Sequence, residues 1–167
     1  MSRPFSRRQA LTIGAGALSA VSAASPFTPA LALSEDAAAV IADFTGGVTP
    51  IPDTRVVIEL PKEVESGNAV ALTVRVESPM TEASRVSELL VVAMKNGKAK
   101  IGRYAFFLPN GVPRVTTRIR LERPPAQIPS PTQTVIVTAV AKVRQGGIDS
   151  FLFRDQQVSV IGGACEC

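Results

Sequence analysis

The chain has 167 residues, 46% of them hydrophobic and 19% charged, with thirteen prolines scattered along it. That is enough for one domain with its own core, and too little for two of ordinary size. Histidine is absent, which excludes Ser-His-Asp or Cys-His catalysis and any His-ligated metal within this polypeptide.

The first segment reads as an export leader. "SRRQALTIGAGALSAVSAA" joins Arg7 and Arg8 to a weakly apolar run that starts at Ala10 and ends among small residues, the layout of a secretory signal. The adjacent arginines after Ser6, with Leu11 two residues beyond Gln9, match a twin-arginine signal, which sends folded proteins across a bacterial inner membrane. Cleavage is expected after "ALA" at 30–32, so residues 1–32 form the signal and the protein works in the periplasm. Gly14, Gly16, Pro26 and Pro29 make this segment a poor membrane anchor, a span needing about 20 apolar residues. Three of the four net positive charges belong to Arg3, Arg7 and Arg8, so the remainder carries only +1. With one Tyr and no Trp, it has neither the basic field nor the stacking platforms of a nucleic-acid binder.

"SEDAAAVIADFTGG" predicts a short helix, with Ser34 as cap, Glu35 and Asp36 in the first turn and Gly46-Gly47 as the stop. Val40, Ile41 and Phe44 share a face that packs on the body. Beyond it the hydrophobic period becomes two. In "AVALTVRVE", Val70, Leu72, Val74 and Val76 alternate with Ala71, Thr73, Arg75 and Glu77, and in "RVTTRIRL" Val115, Thr117, Ile119 and Leu121 alternate with Arg114, Thr116, Arg118 and Arg120. Further strands are expected in "TRVVIEL" (54–60), "SELLVVAM" (87–94), "AKIGRYAFFL" (99–108), "TQTVIVTAVAKV" (132–143) and "DSFLFR" with "QQVSVI" (149–161). Turns at Ser66-Gly67-Asn68, Asn96-Gly97, Asn110-Gly111, Pro124 to Pro131 and Gly146-Gly147 separate them. Seven or eight short strands predict an all-β, immunoglobulin-like antiparallel sandwich over 33–161.

Little in this body suggests chemistry. Glu63 with Glu65, and Glu82 with Glu88, are the available carboxylate pairs, and nothing nearby marks a cleft around them, so both read as solvated surface. The two Gly-Gly pairs lack the strand-glycine-helix setting of a phosphate loop. Arg114, Arg118 and Arg120 form a stripe that is either an ordinary solvated face or an attractor for an anion or partner. In "YAFFL", Phe106 and Phe107 cannot both face one core, so apolar surface is expected there for a partner to cover.

The only cysteines, Cys165 and Cys167, stand among the last three residues. Residues 162–167 therefore read as a flexible cysteine-bearing arm, with Gly162 and Gly163 giving freedom at its base. Fully extended, four residues carry Cys165 about 13 Å beyond Ile161. Three other readings stay open: a strained internal disulfide, a soft Cys-x-Cys metal ligand pair with nothing to complete it, or an idle tail. The rival from another class is an exported immunoglobulin-like binding module whose tail serves metal binding or thiol redox exchange.

The tail, the leader and the sandwich, together with "FTGGVTP" (44–50), "ELPKEVESGNAVALTVRVESPMTEASRV" (59–86), "TTRIRL" (116–121) and "VIGG" (160–163), give a chain that resembles the SoxY family, the sulfur-carrying subunits of the bacterial thiosulfate-oxidising (Sox) system. The resemblance implies a covalent carrier rather than an enzyme, with no cofactor, no metal and no catalytic residue of its own. It implies a heterodimer with a SoxZ-like subunit. The processing partners it implies are a Sox-type haem enzyme, a sulfate-releasing hydrolase and a sulfur dehydrogenase, acting on thiosulfate-derived sulfur. The family arm is Gly-Gly-Cys-Gly-Gly, so Gly162 and Gly163 match its first pair, Ala164 stands where the family has cysteine, and Glu166-Cys167 replaces the last pair. Sulfur attachment falls to Cys165, with Cys167 as a second or resolving thiol. A thiolate at Cys165 lies beside the Glu166 carboxylate and the chain terminus, and like charges disfavour it.

Overall fold

The computed structural model describes residues 35–65, 67, 69–95, 98–108, 111–121 and 132–161. In chain order they form α1 (Glu35–Thr45), β1 (Ile51–Pro52), β2 (Val56–Glu59), β3 (Glu63–Glu65), β4 (Val70–Val76), β5 (Ser84–Lys95), β6 (Lys98–Ala105), β7 (Arg114–Ile119), β8 (Thr132–Gln145) and β9 (Ile148–Ile161). The large sheet runs β1-β9-β8-β5-β6, with β3 also paired to β9, and the small sheet runs β2-β4-β7. The expected all-β sandwich is present.

In the small sheet, one face alone is buried. Val70, Leu72, Val74 and Val76 point inward and are at most 4% exposed, while their alternates lie at the surface. They pack against Leu89, Val91, Val137, Ala139, Val158 and Val160 of the large sheet. The large sheet is covered on both faces. Leu90, Val92, Val140 and Phe151 lie on the other side and pack under Ala37, Ile41 and Phe44 of α1, with the Phe44 and Phe151 rings edge to face at 5.7 Å. The five-residue buried run Leu89 to Ala93 follows, because consecutive side chains feed two different cores. Thr138, buried on the α1 side of β8, is satisfied by donating to Asp155 at 2.7 Å.

The local signals act where expected. Gly46 and Gly47 take positive φ of 64° and 82°, and the Gly47 N–H donates to the Ala42 carbonyl at 2.9 Å, the six-to-one bond that closes a helix. The Gly146-Gly147 turn joins β8 to β9, which pair over their full lengths from Thr132↔Ile161 to Gln145↔Ile148. What reads as two runs over 149–161 is thus one continuous strand.

Two departures from the expected pattern concern β9. Its free edge gains β1, through Ile51↔Leu152 and Pro52↔Phe153, and β3, through Glu63↔Ser159, Val64↔Val160 and Glu65↔Ile161. Both pairings are parallel, so the sandwich is not purely antiparallel. Between them the chain crosses to the small sheet as β2, pairs with β4, and returns. After β3 it turns at Gly67, whose φ is +65°. Its carbonyl accepts the Leu121 N–H at 2.9 Å. A Cβ there would stand 2.5 Å from the Leu121 carbonyl oxygen and 3.3 Å from Val160 Cγ1.

Two predictions test these contacts. Gly67→Ala meets both a strained backbone and a backbone clash, and is expected to cost roughly 2 kcal/mol, read as a lowered midpoint in urea; an unchanged midpoint refutes the close packing. Asp149 faces Arg144 across the β8/β9 hairpin and accepts its Nε at 2.8 Å, with Lys142 Nζ 3.2 Å away. The Arg144 hydrogen bonds, then Lys142, hold its carboxyl down to about 2. A carboxyl lowered on folding stabilises above its unfolded value near 4 and loses that contribution as pH falls toward 2. Asp149→Asn is therefore expected to remove up to about 1 kcal/mol at neutral pH, discounted for solvent screening, and to flatten stability between roughly pH 4 and 2, followed by denaturation at stepped pH.

Candidate functional site

Residues 162–167, with Gly162, Gly163, Cys165 and Cys167, lie outside the described residues, as do the leader and Ser34. What the structure supplies is the root from which the arm departs. Ile161, the last residue of β9, pairs with Thr132 of β8 on one side and Glu65 of β3 on the other. Val158 and Val160 just before it are at most 1% exposed. The strand is held on both edges up to its final residue.

The surroundings of that root carry both signs of charge. Glu63 and Glu65 stand exposed on β3 at one side. The Gly67 turn that follows β3, its N–H bonded to the Glu65 carbonyl at 2.8 Å, links Val160 to Leu121, and Leu121 directly follows Arg120. Arg114, Arg118 and Arg120 are all exposed while Ile119 and Leu121 are buried, so the stripe read from the sequence does occupy one face. On this face, Arg75 opposite Arg114 is balanced by Glu77 at 3.1 Å and Glu59 at 3.7 Å. Among the described residues, no carboxylate pairs with Arg118 or Arg120. Gln133, across from Val160, holds a buried Oε1 without a partner among the described residues.

The carboxylate pairs weighed as acid and base do not form a site. Glu88 is ion-paired with Arg103, Glu82 is exposed, and Glu63 and Glu65 flank the root on the surface. Arg103 in turn lies over the Phe44 ring at 5.1 Å. It rims an open depression of about 290 Å³, lined also by Ala39, Val40, Asp43 and Leu90. This depression adjoins α1 near the middle of the sheet. Leu90 is level with Val140 and Phe153, and eight residues of strand separate Phe153 from Ile161, about 26 Å. It lies well away from the strand end at Ile161. Among the described residues, no group of three or more acidic or cysteine side chains is placed to hold a metal, and no helix is long and apolar enough to cross a membrane.

The adjacent phenylalanines divide as their spacing requires. Phe106 packs against the core, whereas Phe107 is 69% exposed; Val112 and Ile148, 68% and 73% exposed, are also outward. The Phe106 N–H bonds the Ser87 carbonyl and the Gly146 N–H bonds that of Ala83. These contacts put Phe107 and Ile148 at the end of the sandwich away from Ile161. Sequence reasoning missed β3, the strand that clamps the root. The only signal was the three-residue alternation Glu63-Val64-Glu65 between Pro61 and Gly67.

Comparison with known proteins bears on this arrangement. No curated protein matches the chain. Among solved structures it is similar to the sulfur carrier protein SoxY from Chlorobium limicola f thiosulfatophilum, with a TM-score of 0.55 and 22% identity, covering 77% of this chain and 98% of that one; this likeness establishes the fold. The family model described as "Sulfur oxidation protein SoxY" matches residues 41–165. That span takes in the helix face, both sheets, the clamped root and the start of the arm, and on it the chain belongs to the SoxY family of sulfur oxidation proteins.

Proposed function

We propose that this protein is a periplasmic sulfur carrier, exported by the twin-arginine route, which holds intermediates of thiosulfate oxidation covalently on Cys165 as one subunit of a SoxYZ-like heterodimer. The observation that carries the reading is the family match over residues 41–165, on a chain whose cysteines follow a strand fixed on both edges up to Ile161. The protein acts as substrate holder, and the reactions belong to its partners.

In the first step the Cys165 thiol and thiosulfate join through a new S–S bond. A proton and two electrons leave, the electrons passing to the haem of the partner enzyme, and Cys165 carries S–S–SO₃⁻. Water then displaces the terminal sulfonate as sulfate in a partner hydrolase, with release of a proton, leaving Cys165 as a persulfide. A sulfur dehydrogenase oxidises that sulfur further. Cys167, two residues on, can attack the persulfide, forming the internal disulfide and releasing sulfide. Gly162 and Gly163 supply freedom of movement below the thiols.

A SoxZ-like subunit fits the end of the sandwich bearing Phe107, Val112 and Ile148, because exposed aromatic and branched side chains there gain from burial. That position leaves the opposite end, with the arm, open to enzymes.

Two measurements check these proposals. Intact mass and tail mapping, on protein purified without reductant after exposure to thiosulfate and the partner enzymes, are expected to show reducible sulfur adducts on Cys165. A clean mass, or only the internal disulfide, under conditions that load another SoxY overturns the carrier reading. Phe107→Asp is expected to weaken the SoxZ-like heterodimer by about tenfold or more without lowering the melting temperature of the free chain, as titrated by calorimetry. Unaltered association removes Phe107 from the interface.

A further inference from the structure

We propose that Arg118 and Arg120 form a docking surface for an acidic rim on the enzyme that loads the arm, a proposal that rests on the carrier reading. Placement is the first argument. Strand β7 ends beside the root of the arm, because the Leu121 N–H donates to the Gly67 carbonyl at 2.9 Å and Gly67 packs on Val160, the residue before the last of β9. An enzyme whose active site receives Cys165 must bring its own surface within about 13 Å of Ile161, and the end of β7 is joined to Val160, its neighbour, through Gly67.

The chemistry of the face is the second argument. Arg118 and Arg120 alternate with buried Ile119 and Leu121, so both guanidinium groups stand on the solvent side. Among the described residues neither has a carboxylate partner, in contrast to Arg75 on the same sheet face. Among the described residues the neighbours of Arg118 are small or hydroxylic: Ala71 opposite it, and Thr116, whose hydroxyl meets that of Thr73 at 3.2 Å. The two cations stand in a row about 7 Å apart, and among the described residues no group converges on them to form a cradle. A row suits an extended acidic surface, whereas a single small oxyanion would need converging donors.

Exposed pairs of this kind contribute mostly to the rate of encounter and little to residence, as suits a carrier that must leave one enzyme for the next.

The test is steady-state loading of the mature protein, in its complex, by the thiosulfate-conjugating enzyme at low and high salt (about 25 and 250 mM), where screening differs severalfold in range. Arg118→Gln/Arg120→Gln is expected to lose roughly three- to tenfold in kcat/KM for the carrier at low salt and to flatten its salt dependence. Arg118→Lys/Arg120→Lys is expected to retain most of both. The thiosulfate KM should stay unchanged. Loss that appears in the thiosulfate KM instead would assign the arginines to the small anion and overturn protein docking. Loading that is indifferent to both salt and substitution overturns the surface while leaving the carrier intact. A wild-type chain that is never loaded overturns both. Because both side chains are exposed, an unshifted melt of the Gln variant separates any of these from misfolding.

Discussion

Strand β9 is the member on which the rest of the molecule depends. It pairs with β8 over all fourteen of its residues, supplies Leu152, Val158 and Val160 to the inter-sheet core and Phe151 to the core beneath α1, and receives β1 and β3 on its outer edge. An isolated edge would offer unpaired backbone groups to other chains. Here two short segments of the same chain close its ends, and β2 runs alongside on the small sheet. The strand that leads into the cysteines is thereby paired on both edges where it ends.

Much of this was legible in the sequence, for physical reasons that can be named. The alternation in 70–76 and 114–121 survives because the small sheet has one wet face, so each residue reports its own side. Gly46-Gly47 and Gly146-Gly147 mark turns that only a residue free of a Cβ enters cheaply. Phe106 and Phe107 announce their separation by adjacency alone. The helix face was visible because Ile41 and Phe44 repeat at helical spacing.

Other features left almost no trace. Strands of two and three residues, β1 and β3, are too short for a period to show, and their parallel pairing is fixed by residues about a hundred positions away. The run Leu89 to Ala93 has no alternation because both of its faces are buried, so its sidedness comes only from α1 and the small sheet. The charge balance around Ile161 was hidden for the same reason: Glu63 and Glu65 reach the root through β3, while Arg118 and Arg120 reach it through the Gly67 contact. The stripe could be seen in the sequence, but not what it stood beside.

The double clamp on β9 also bears on mechanical load. A pull along the axis of β9 meets hydrogen bonds to β8 that run across that axis and bonds to the parallel β3 that slant across it. The pull is therefore shared in shear among many bonds at once and cannot peel them apart one by one. The last paired residue, Ile161, is thereby held in place under tension.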